Sequence, residues 1–85
     1  MSIYEKIIIE ILSYLDKMNN DDNFKRENPN ITAREYLCAK VNPNITSQRL
    51  VNILNGKAKR ITIKELCVIC YGLDVEVPEF LKNIK

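Results

Sequence analysis

Ser47, Gln48, Arg49 and Asn52 fall within six consecutive positions, close enough to occupy the outward side of one short helix. Their side chains are the ones that bond to base edges: glutamine and asparagine pair bidentately with adenine, arginine with guanine, and serine with either. Immediately downstream, Asn55-Gly56-Lys57-Ala58-Lys59-Arg60 brings an amide, a permissive backbone position and three cations together. That composition suits contact with phosphate, which positions a protein on a duplex without specifying sequence. Arg34, further upstream at an expected helix start, is placed to clamp another phosphate. A polar row with a basic exit is the chemistry of reading a DNA groove.

Other chemistries are poorly supplied. The chain has no histidine, which removes the commonest general base and the commonest metal ligand together. Cys67 and Cys70 have the two-residue spacing of redox and zinc pairs. A structural zinc takes four ligands, however, and Cys38 is the only other thiol. Cys70 also shares a helical stripe with Leu66, Ile69 and Leu73, so it is expected to pack as a small hydrophobe. The carboxylates are scattered over separate segments, and neither a glycine-rich phosphate loop nor a serine nucleophile motif is present. No enzymatic activity, cofactor or metal is expected.

The elements that must carry the polar row follow from local signals. Thr46 is placed to cap the row's helix, and Ile45 with Leu50 forms a hydrophobic staple across the cap. Leu50, Ile53 and Leu54 supply a narrow apolar stripe, which leaves Ser47, Gln48, Arg49 and Asn52 pointing outward. Gly56 sits where a left-handed C-cap is wanted. The expected helix runs over about 46–55. Before it, Ser2 with Glu5 opens a strongly amphipathic helix over 2–18, carrying Ile3, Ile7, Ile8, Ile11, Leu12, Leu15 and Met18. The polar run from Asn19 to Asn30, with Pro29 inside it, reads as a loop. Thr32 and Glu35 box the start of a helix over about 32–41, which Asn42-Pro43-Asn44 ends. Thr62 and Glu65 open another that runs to about Leu73. Val77-Pro78 begins a last short helix with Phe80, Leu81 and Ile84. The expectation is one all-α domain over residues 1–85, a compact bundle of about five short helices.

Charge is segregated along the chain. Residues 1–30 hold four basic against six acidic side chains, residues 31–64 seven against one, and residues 65–85 two against four. The net values are −2, +6 and −2, so the positive charge is concentrated around the polar helix. Such a segment is an electrostatic footprint for phosphate, or else a solvated basic surface. No apolar run approaches the roughly 18 residues of a membrane span. The early acidic residue and the lack of a small-residue cleavage site argue against a signal peptide. An odd count of three cysteines points to reduced thiols in a cytoplasmic setting.

From about Ile31 to Leu81 the chain resembles the Cro/repressor-type helix-turn-helix domain, the xenobiotic-response-element family. The resemblance rests on Asn52-Ile53-Leu54-Asn55-Gly56-Lys57, Thr62-Ile63-Lys64-Glu65-Leu66, Ile69-Cys70-Tyr71-Gly72-Leu73 and Val77-Pro78-Glu79-Phe80. It implies a lambda-repressor-like bundle whose helix ending in Asn-Gly-Lys lies in the major groove. Base contacts would then fall to Ser47, Gln48, Arg49 and Asn52, and phosphate contacts to Asn55, Gly56 and Lys57. The turn through Asn42-Pro43-Asn44 is about two residues longer than is usual in that family. The resemblance implies a sequence-specific regulator of transcription, a repressor, that binds double-stranded DNA as a homodimer. The acidic ends, meaning the first helix or the last helix with Phe80 and Leu81, would form the dimer surface. The alternative is the same scaffold used to bind a protein partner, as an antitoxin or a small phage-type inhibitor does.

Overall fold

The computed structural model describes residues 1–84, which form six helices joined by short connections, with no strand among them. They are α1 (Ile3–Asn19), α2 (Asp22–Glu27), α3 (Ala33–Val41), α4 (Ser47–Leu54), α5 (Ile63–Gly72) and α6 (Val77–Lys82). The all-α expectation holds, with one helix more than the five expected. The extra element is α2, which lies where the polar run reads as a loop. Asp21 caps it by accepting from the Asn23 amide at 3.1 Å. It buries no residue, so it carries no apolar stripe to betray it. Its half-buried Phe24 instead sets its ring edge-on against Tyr36 of α3, with centroids 5.4 Å apart.

The capping boxes form at the positions their spacing predicts. Ser2 and Glu5, Thr32 and Glu35, and Thr62 and Glu65 each exchange reciprocal bonds at the starts of α1, α3 and α5. Each box satisfies two of the amide donors that a helix start leaves without partners. The apolar stripes then meet in a single core. Ile7, Ile8, Ile11 and Leu15 of α1 pack with Ala33, Leu37 and Val41 of α3. Leu50, Ile53 and Leu54 of α4, Leu66, Ile69, Cys70 and Leu73 from α5 and its C-cap, Phe80 of α6, and Ile45 and Ile61 from the connections complete it. Asn19 ties two elements across a gap in sequence, since its Oδ1 accepts from the Ala33 amide at 2.8 Å.

The approach of α3 to α5 depends on Gly72. A β-carbon there would lie 2.6 Å from Cδ1 of Leu37 and 3.3 Å from Cγ1 of Val41. Both of those side chains are fully buried, so neither can swing aside into solvent. Gly72→Ala is therefore expected to destabilise by about 1–2 kcal/mol, overpacking outweighing the better helix propensity of alanine. Thermal unfolding would show it as a midpoint lowered by about 4–16 °C in a domain of this size. An unchanged midpoint would mean that the two helices separate at little cost.

Candidate nucleic-acid interface

The connection between α3 and α4 spans Asn42 to Thr46. Asn42 takes an extended conformation that ends α3 ahead of Pro43. Ile45 is buried, and its amide donates to the Val41 carbonyl at 2.9 Å, so the long turn is anchored at its far end. Thr46 then caps α4, its hydroxyl accepting from the Arg49 amide at 3.1 Å. With Leu50, Ile53 and Leu54 turned into the core, Ser47 and Gln48 are exposed and Asn52 is half-buried. The Gln48 Nε2 donates to Asn52 Oδ1 at 3.2 Å, so the two amides on this face act as a pair.

Gly56 adopts a φ of +74°, the left-handed conformation expected of it. The Lys57 amide donates to the Asn52 carbonyl at 2.9 Å and the Gly56 amide to the Ile53 carbonyl at 3.1 Å. Together these bonds are a Schellman motif. The chain leaves it with Asn55, Gly56, Lys57, Lys59 and Arg60 all exposed, and re-enters the core at Ile61. The basic loop is thus a six-residue arc, 55–60, held at one end by α4 and at the other by the start of α5.

Arg49 departs from the expected outward orientation. Its guanidinium turns toward α5, donating through Nε to Glu65 Oε2 at 2.7 Å and through Nη2 to Glu65 Oε1 at 2.9 Å. Nη2 also donates to the Arg60 carbonyl at 2.9 Å. The physical reason is geometric, because the planar fork of arginine matches a carboxylate bidentately. Glu65 already accepts from the Thr62 amide, so it faces back over the start of α5 toward α4. Arg34 is exposed on the first turn of α3 and lines a shallow hollow with Ile9, Leu12, Asp16 and Asn19 of α1. It joins the α1–α3 side of the molecule, and no bond links it to the α4 row. Lys40, another of the mid-chain cations, lies over the rings of Tyr36 and Tyr71 at 5.7 and 5.9 Å.

The Arg49 bonds hold the Glu65 carboxyl at about 2, well below its ordinary 4.5. A depressed folded pKa contributes stability that is complete above the unfolded value and lost as pH falls toward the folded one. Stability should therefore be level above about pH 5 and fall between about pH 4 and pH 2. The Arg49 side chain stays 36% exposed, and solvent screening limits the pair to about 1 kcal/mol. Denaturant midpoints of wild type and Glu65→Gln should differ at pH 6 and converge near pH 2. A constant difference across that range would exclude the pair as its source.

The thiols diverge. Cys70 is buried and its pKa is pushed up to about 11, chiefly by desolvation, while Cys67 is exposed and Cys38 half-buried. Their spacing reflects a helix turned over the core, and no group of three metal-ligating side chains forms among the described residues. Glu65 is the site residue that sequence reasoning missed. Its pattern reads fully as a capping box, and nothing local links it to a side chain 16 positions away. No known protein family, no curated protein and no solved structure matches this chain.

Proposed function

We propose that the chain is a sequence-specific DNA-binding regulator of transcription of the helix-turn-helix type, with α4 as its groove-reading helix. The observation that carries this reading is the coincidence of three features on one element. Ser47, Gln48 and Asn52 present hydrogen-bonding groups over a buried apolar stripe. The Schellman turn releases Lys57, Lys59 and Arg60 at the end of the same helix. The segment that contains both holds the chain's excess of positive charge. An α-helix is about 10–12 Å across with its side chains, which fits a major groove about 12 Å wide.

One such helix covers only a few base pairs, so the reading includes a homodimer on half-sites about 34–36 Å apart. Phe80 is fully buried and is unavailable for that contact. The exposed apolar residues of α1, Ile3, Ile9 and Leu12, are the better supported dimer surface. Selection from a random duplex pool, followed by anisotropy titration at two salt concentrations, tests the function. A preferred duplex whose affinity falls with salt is the expected result. Binding weaker than about 10⁻⁴ M to every duplex at low salt, below ordinary non-specific affinity, would overturn the DNA reading and favour a protein partner.

A further inference from the structure

Resting on that reading, we propose that Arg49 positions the basic loop and reads no base, and that the paired Gln48 and Asn52 amides read the major-groove edge of an adenine. The loop is held at two points. The Asn52 carbonyl accepts from the Lys57 amide at 2.9 Å, and the Arg60 carbonyl accepts from Arg49 Nη2 at 2.9 Å. Between these points lie the exposed Lys57, Lys59 and Arg60. The same guanidinium is gripped by both oxygens of Glu65, so α4, the loop and α5 meet at one side chain. Two of its nitrogens are committed there, and the fork needed to grip guanine O6 and N7 together is already occupied.

What remains on the face is a matched donor and acceptor. With Gln48 Nε2 donating to Asn52 Oδ1, the Gln48 Oε1 is a free acceptor and the Asn52 Nδ2 a free donor. Exchanging both amides leaves the same combination with the two residues' roles reversed. Adenine alone offers an acceptor, N7, beside a donor, the N6 amino group, on its major-groove edge. Guanine offers two acceptors there, so one lone pair of the amide pair would face another. Cytosine and thymine each supply only half of the pattern.

The test uses the intact chain, with Arg49→Lys, Glu65→Gln and Gln48→Ala variants. Amide hydrogen exchange in the free proteins reports loop order, and anisotropy on the selected duplex and its single-base variants reports reading. Arg49→Lys keeps the charge but cannot reproduce the fork. It should speed exchange at residues 57–61 and weaken all duplexes alike, with the preferred sequence unchanged. Glu65→Gln keeps the capping box and removes a negative charge beside the basic loop. Simple electrostatics predicts tighter DNA binding for it, whereas a lost brace predicts weaker binding and faster loop exchange. Gln48→Ala should cut the preference for the selected adenine by about tenfold or more, and replacing that adenine by purine, which lacks the N6 amino group, should do the same to the wild type.

Unchanged loop exchange in both Arg49→Lys and Glu65→Gln would overturn the positioning role, whatever the protein binds. A selected site with guanine whose preference disappears in Arg49→Lys would show that Arg49 reads it. A selected site with no adenine dependence on Gln48 would overturn the amide-pair reading. Failure of the wild type to bind any duplex overturns the DNA function itself, and with it the adenine reading, while the exchange measurement still decides whether Arg49 braces the loop.

Discussion

Replacing Lys57, Lys59 and Arg60 together by alanine should weaken binding to every duplex alike and flatten the dependence of affinity on salt. Each phosphate that a protein neutralises releases condensed counterion and contributes about −0.9 to the slope of log affinity against log salt. Three lost contacts should therefore remove about 2.7 from the slope. The advantage of wild type over the variant should shrink by roughly 40-fold between 50 and 200 mM salt. The three side chains are exposed and Gly56 retains its turn, so the melting temperature should be little changed. The ranking of duplex sequences should also be preserved, because the proposed function assigns base reading to α4. Anisotropy titrations of both proteins across a salt series measure this. A variant whose slope equals that of wild type would place these cations off the interface.

Phe80→Ala should destabilise the domain severely, and by more than Gly72→Ala. Phe80 is fully buried, and its ring stacks on Tyr14 of α1 with centroids 5.7 Å apart and an interplanar angle of 22°. Truncating a buried phenylalanine costs about 3–5 kcal/mol through lost transfer energy and the cavity left behind. A domain of this size has roughly 5–10 kcal/mol in total, so the midpoint should fall by at least about 12 °C. The damage should be centred on α6, which holds no other fully buried side chain. A midpoint within a few degrees of wild type would show that α6 is dispensable to the core. Leu81→Ala is the control, since Leu81 is 40% exposed and one residue away.

The parts of the fold that are legible in the chain are those written within four residues. Ser2 with Glu5, Thr32 with Glu35 and Thr62 with Glu65 are three apart, and each box forms. A cap closes as soon as the first turn exists, so spacing alone suffices. Gly56 is legible for the same reason, because the turn it serves is made from its own neighbours. The apolar stripes of α1, α4 and α5 are legible because helical periodicity states which face must be buried. Helix α2 is not, since six residues with no buried side chain carry no periodic signal. Its Phe24 is held by Tyr36, which stands twelve positions further on.

The candidate site divides along the same line. Its polar row, its basic exit and its place at the centre of the positive charge are properties of consecutive residues, and they stand in the sequence alone. Which of those side chains remains available to a ligand is not such a property. By sequence Arg49 is as free as Gln48, because both lie off the apolar stripe of α4. Only when the fold brings the first turn of α5 to α4 does Glu65 arrive at 2.7 Å and the Arg60 carbonyl at 2.9 Å. Phe80 is likewise suited to a second copy until α6 folds it against Tyr14. Local bonding is decided by spacing, which a sequence states directly. A charged or aromatic side chain takes the best partner that packing brings within reach, and that partner is known only once the helices have met.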